Sequence, residues 1–97
     1  MVSDVSLLLD DYFRHLTVER RVSPNTVHAY SRDLKNFFLA NPSLSIDAIR
    51  SADIKNHIAR LNQKGLSPRS IRRALSCLRS FFVYLVRKGL VANNPAA

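Results

Sequence analysis

The sequence predicts an all-α fold, and three observations carry that expectation. Apolar residues recur at helical spacing along most of the chain. Only two glycines and four prolines occur among 97 residues, too few to punctuate a series of short strands. One pattern, a Ser-Pro helix start followed by an amphipathic run, is also written twice. Residues 22–38 read Val-Ser-Pro-Asn-Thr-Val-His-Ala-Tyr-Ser-Arg-Asp-Leu-Lys-Asn-Phe-Phe, and residues 66–82 read Leu-Ser-Pro-Arg-Ser-Ile-Arg-Arg-Ala-Leu-Ser-Cys-Leu-Arg-Ser-Phe-Phe. Ser23 matches Ser67, Pro24 matches Pro68, Leu34 matches Leu78, and Phe37-Phe38 match Phe81-Phe82.

Four main helices and a short connecting turn follow in order. The first covers about residues 4–20, with Val5, Leu8, Leu9, Tyr12, Phe13 and Leu16 at helical spacing and Ser3 available as its cap. The second begins at Ser23-Pro24 and stops near residue 40, where Asn41-Pro42 cannot continue it; Val27, Tyr30, Leu34, Phe37 and Phe38 form its apolar stripe. Residues 43–50 have room for one helical turn that tucks Leu44, Ile46 and Ile49 inward. The third helix starts after Ser51, turns Ile54, Ile58 and Leu61 inward, and ends at Gly65 as a glycine cap. The fourth runs from Ser67-Pro68 to about Lys88, before Gly89, and residues 93–97 read as an exit into extended chain.

At 97 residues the chain fits one domain with a single small core. Its net charge of +8 is unevenly placed. All seven acidic residues lie at or before Asp53, whereas nine basic residues and no carboxylate follow Ile54. A merely solubilising surface mixes both signs, so the C-terminal half is the stronger candidate for a polyanion-facing surface. Cys77 is the only cysteine, which excludes an internal disulfide and suits a small buried residue. The N-terminus has no basic n-region, and Leu7-Leu8-Leu9 is followed by Asp10-Asp11, so neither a signal peptide nor a membrane span is expected.

Steps of about 100° per residue separate two faces on each long helix. On the fourth, Ile71, Leu75, Leu78, Phe82 and Leu85 share one side, while Arg69, Arg72, Arg73, Ser76, Arg79, Ser80 and Arg87 occupy the other. On the second, Asn25, His28, Arg32 and Lys35 lie opposite Val27, Leu34 and Phe38. Arginine, asparagine and serine side chains reach base edges or phosphate oxygens in a groove wide enough for a helix. Ser23 and Ser67 accept from otherwise orphan N–H groups, and the following prolines have no N–H to lose. Such a helix start also attracts phosphate, with the hydroxyls of Thr26 and Ser70 nearby. Simple capping explains one such start alone. Two starts, each followed by a basic face, point toward a nucleic acid.

No catalytic constellation is present. The carboxylates are scattered, His15, His28 and His57 are too dispersed for a metal site, and Gly65 and Gly89 cannot form a phosphate-binding glycine loop.

The run from Arg21 to Leu34, the run Gly65-Leu66-Ser67-Pro68-Arg69-Ser70-Ile71, the later Leu75-Ser76 and Leu78-Arg79-Ser80-Phe81-Phe82, and the closing Asn94-Pro95-Ala96 resemble one family. They are similar to the N-terminal core-binding domain of tyrosine recombinases, most like the Xer recombinases, from about Val5 to Ala96. The resemblance implies a SAM-like bundle of four main helices, half of a C-shaped clamp on double-stranded DNA. Its second and fourth helices would lie across the major groove of a recombination half-site. It implies residues 1–92 as the DNA-binding domain and residues 93–97 as the start of a linker to a downstream catalytic domain. The family's chemistry is strand exchange through a 3′-phosphotyrosyl intermediate without metal or nucleotide cofactor, and its catalytic residues belong to that second domain. Tyr12, Tyr30 and Tyr84 are therefore not expected as nucleophiles. The expected partners are duplex DNA and further recombinase subunits in a tetrameric synaptic complex, with no membrane. The isolated domain is expected as a monomer and the parent as cytoplasmic and nucleoid-associated. Ser23, Asn25, Thr26, His28, Arg32, Lys35, Arg69, Ser70, Arg72, Arg73, Ser76, Arg79 and Ser80 form the expected DNA surface. Two other classes stand against this reading: a helical protein-interaction module with an acidic partner, and a helix-turn-helix regulator. The second fits less well because Gly65-Leu66-Ser67-Pro68 stops one helix and restarts an unusually long one.

Overall fold

Local capping chemistry sets the helix boundaries of the computed structural model, which describes the backbone from Val2 to Ala97 and the side chains from Val5 onward. The order is α1 (Val2–Arg14), a π turn (His15–Glu19), α2 (Pro24–Ala40), a 3₁₀ turn (Ile46–Ala48), α3 (Ser51–Gln63) and α4 (Pro68–Arg87). The Ser3 cap expected for the first helix lies outside the described side chains. The chain divides into two compact units, Met1–Ser43 and Leu44–Ala97, where length alone suggests a single core. Each unit holds one copy of the doubled pattern.

In the first unit α1 packs on α2 and the π turn. Leu9, Tyr12 and Leu16 are buried on the expected stripe, as are Leu34 and Phe37 of α2. The first helix reaches Glu19 as expected, but its last turn is π. Arg20 N–H donates to His15 O at 3.1 Å, an i to i+5 bond, and Val22 N–H donates to Leu16 O at 2.9 Å. Phe13 O also receives Thr17 Oγ1 at 2.9 Å, a back-bond of the kind that competes with the helical ladder and bends it. Arg21 then takes a left-handed conformation at φ 52. The far end of α2 is closed by Asn41, whose Nδ2 donates to Phe37 O at 2.9 Å.

In the second unit Ile49 is buried after the 3₁₀ turn, with Leu44 and Ile46 half-buried. Ser51 is the first residue of α3, and Asp53 Oδ2 accepts from Arg50 N–H at 2.9 Å at its start. Both α3 and α4 end in Schellman turns. Gly65 has φ 83 with Leu66 N–H on Leu61 O at 3.2 Å, and Gly89 has φ 74 with Leu90 N–H on Leu85 O at 3.0 Å.

The buried arc of α4 is wider than the single stripe expected from sequence. Ala74, Cys77, Phe81 and Tyr84 are buried together with Leu78, Phe82 and Leu85. At 100° per residue this arc spans about 160°, the exposed residues occupy about 100° opposite it, and half-buried residues such as Arg73, Leu75 and Ser80 lie between. Cys77 is a free, fully buried thiol.

Residues 94–97 do not run out as extended chain. They fold into a turn, with Ala97 N–H on Asn94 O at 3.3 Å and Ala96 N–H on Asn94 Oδ1 at 2.9 Å. Ala96 is 4% exposed, and it borders, with Pro95, Ile54, Ile58 and Leu75, a small cavity of about 300 Å3.

Candidate nucleic-acid interface

The two Ser-Pro starts are near copies at atomic level. Ser23 sits at φ −60, ψ 149 and Ser67 at φ −65, ψ 153, both extended ahead of a helical proline. Ser23 Oγ accepts from Thr26 N–H at 3.3 Å and donates to Thr26 Oγ1 at 3.0 Å. Ser67 Oγ accepts from Ser70 N–H at 3.2 Å and donates to Ser70 Oγ at 3.1 Å. The half-buried Thr26 and Ser70 hydroxyls are thus lone-pair acceptors for the cap and keep their own protons to donate. That arrangement suits an anion such as phosphate.

Beyond those starts the helices differ in charge. α4 carries five arginines and no carboxylate, whereas α2 carries one arginine, one lysine and one aspartate. Arg69, Arg72, Ser76 and Arg79 are exposed on the solvent arc of α4. Arg73 and Ser80 lie at the edge of the buried arc and are half-buried. From Arg69 to Arg79 the helix rises roughly 15 Å, enough to cross a major groove about 12 Å wide. On α2, Asn25, His28, Arg32 and Lys35 are exposed on one side. The Asp11–Arg14 ion pair at 3.6 Å and the His15–Glu19 hydrogen bond at 2.6 Å lie on α1 and its π turn, so the acids concerned sit outside both basic helices.

The structure adds residues that the sequence expectations omit. Asn36 is exposed one turn beyond Arg32, and Arg21 is exposed two residues ahead of Ser23. Counting steps of 100° would have placed Asn36 on the face; the position of Arg21 depends on a left-handed backbone that no local code announces. Arg79 also takes part in a bond not foreseen, as its Nε donates to Ala96 O at 2.9 Å. Of the tyrosines, Tyr12 and Tyr84 are buried and Tyr30 is half-buried. Lys88 Nζ lies 5.6 Å from the Tyr84 ring centre. Among the described residues no group of three His, Cys, Asp or Glu side chains is placed to hold a metal ion, and no helix is long and apolar enough to cross a membrane.

An all-α domain of paired helices, each pair joined through a Ser-Pro start, is the class that fold and surface define. The chain belongs to the family described as phage integrase, N-terminal SAM-like domain, which it matches over residues 9–89, ending at the glycine that closes α4. It is 41% identical over 88 residues to the tyrosine recombinase XerC of Alcanivorax borkumensis, covering 91% of this chain and 29% of that protein. To the XerC of Pseudomonas fluorescens it is 42% identical over 91 residues, covering 91% and 30%. To the XerC of Xylella fastidiosa it is 36% identical over 96 residues, covering 96% and 33%. The chain spans about a third of the length of these curated relatives. No solved structure matches it.

Proposed function

We propose that this chain is the DNA-embracing domain of a site-specific tyrosine recombinase and holds duplex DNA at a recombination half-site. The exposed arc of α4, with Arg69, Arg72 and Arg79 around Ser76 on a helix without a carboxylate, is the observation that carries the reading. The face of α2 is the weaker second surface, through Asn25, His28, Arg32 and Lys35 with Ser23 and Thr26 at its start, while Ser70, Arg73 and Ser80 complete the surface of α4. In this reading the domain contributes binding, and strand exchange belongs to a catalytic domain joined through residues 93–97. DNA integration or chromosome dimer resolution in a tetrameric synaptic complex is the corresponding biological role.

The test is anisotropy with a labelled duplex across a salt series. If roughly five phosphates are neutralised, log K falls against log salt with a slope of about 4 to 5 in magnitude. An affinity that does not change with salt overturns the reading.

A second reading has its own observation. Val83 and Val86 near the end of α4 and Leu90 just beyond it are 40%, 37% and 47% exposed, beside the exposed Arg87 and Lys88. A protein partner, such as another recombinase subunit, would cover them. Charge reversal at Arg72 and Arg73 separates the two uses: lost DNA binding with subunit association intact favours the first, and the opposite favours the second.

A further inference from the structure

Arg79 is marked out by a reciprocal pair of bonds with the end of the chain. Its Nε donates to Ala96 O at 2.9 Å, and its own carbonyl accepts from Asn94 Nδ2 at 3.2 Å. Ser51 Oγ adds a tie from α3 to Pro95 O at 3.2 Å. Yet the Arg79 side chain as a whole is exposed and shares an arc with Arg72 and Ser76.

A guanidinium presents five N–H donors in a planar fork, and Nε supplies only one of them. The terminal nitrogens keep the geometry that binds a phosphate through two parallel bonds. Seating Nε on the Ala96 carbonyl fixes the plane of that fork in advance. A phosphate arriving there has less side-chain freedom to freeze, which strengthens binding. Linkage makes the effect mutual, because whatever the docked turn contributes to phosphate binding, the phosphate contributes equally to docking of the turn.

We propose that Arg79 is a positioning residue that couples polyanion binding on α4 to docking of the 94–97 turn. The inference rests on the reading of α4 as a phosphate-facing helix. In the longer protein of that reading, it makes the path of the chain beyond residue 97 responsive to bound DNA.

The experiment follows solvent exchange of the Ala96 amide by NMR in the 97-residue chain, free and saturated with a mixed-sequence duplex. Saturation slows exchange on the order of fivefold or more, the low end of coupling between linked sites. Arg79→Lys keeps the charge but has no planar fork, and it abolishes that slowing. Asn94→Ala removes no charge and no residue of the exposed arc, but it takes away the partner of the Arg79 carbonyl and the acceptor of the Ala96 N–H; it weakens duplex affinity by at most the factor by which saturation slows Ala96 exchange in the parent. Duplex binding without a change at Ala96, or slowing that persists in Arg79→Lys, overturns the coupling while DNA binding stands. An Asn94→Ala chain whose turn is undocked, with the Ala97 amide exchanging at the open-chain rate, and that still binds duplex as tightly as the parent also overturns it. No duplex binding at all overturns both readings together.

Discussion

In the first unit the chain leaves a π turn, passes through Arg21 at φ 52, extends at Ser23 and enters α2 at Pro24. In the second it leaves an α-helix, passes through Gly65 at φ 83, extends at Ser67 and enters α4 at Pro68. Both copies place a left-handed residue two positions ahead of the capping serine. The second uses glycine, which takes that conformation freely, and the first uses arginine, which does not. The pattern shared by the copies is therefore one of backbone path and hydrogen bonds, while charge and packing were free to diverge between them. They did diverge: α4 is buried over about half its circumference and has the arginines, whereas α2 has two fully buried core residues and a mixed charge.

The largest test of that divergence lies in the phenylalanine pairs. Phe37 and Phe81 are both fully buried, but of their neighbours Phe82 is fully buried and Phe38 only half-buried. Phe82→Ala should cost about 3–5 kcal/mol, the usual range for a buried aromatic. Phe38→Ala should cost roughly half as much, because water already reaches its ring. Urea unfolding of the two variants measures the gap, and equal costs would erase the distinction between the copies.

Binding comes next. Reversing Arg69 and Arg72 to glutamate should weaken duplex affinity by about 10- to 100-fold and lower the salt slope by about 2, one for each phosphate no longer neutralised. Reversing Arg32 and Lys35 should cost less, on the order of fivefold, because Asp33 already offsets part of the charge on α2. A larger loss from the α2 pair would invert the proposed ranking of the faces.

The caps should behave alike. Ser23→Ala and Ser67→Ala each remove a hydroxyl bonded to both a backbone N–H and a second hydroxyl, at nearly equal distances. Each should cost about 1 kcal/mol in thermal unfolding. A clear inequality would show that the two starts are alike in geometry only.

These comparisons also mark what could be read from residue order. Ser23-Pro24, Asn41-Pro42, Ser67-Pro68 and the two glycines locate helix ends to within a residue or so, because capping joins near neighbours in the chain. The exposed basic faces were legible for the same reason, as helical periodicity is local. The π turn at residues 15–19 was not, since it depends on which carbonyl Arg20 and Val22 reach. Burial of Ala74, Cys77 and Tyr84 reflects how many sides of α4 are covered, which periodicity does not report. The Arg79–Ala96 bond joins residues 17 apart, and Asn94-Pro95 taken alone reads only as an exit from the helix.

The smallest effect bears most directly on why the copies differ. Arg21 is the only described non-glycine residue with positive φ, and its counterpart Gly65 has open space where a Cβ would sit. Arg21→Gly relieves about 1–2 kcal/mol of left-handed strain and adds about 0.5–1 kcal/mol of unfolded-chain entropy. The net is a stabilisation of up to about 1.5 kcal/mol. Gly65→Ala meets no steric neighbour, so conformational strain alone should destabilise it by about 1 kcal/mol. Thermal unfolding of both variants gives the stability half of the test, and duplex affinity of Arg21→Gly gives the other. Gained stability with weakened binding would mean that arginine is kept in a strained position for its charge beside the Ser23 start. Gained stability with unchanged binding would leave the strain without a binding role and confine the DNA surface on this copy to α2 itself.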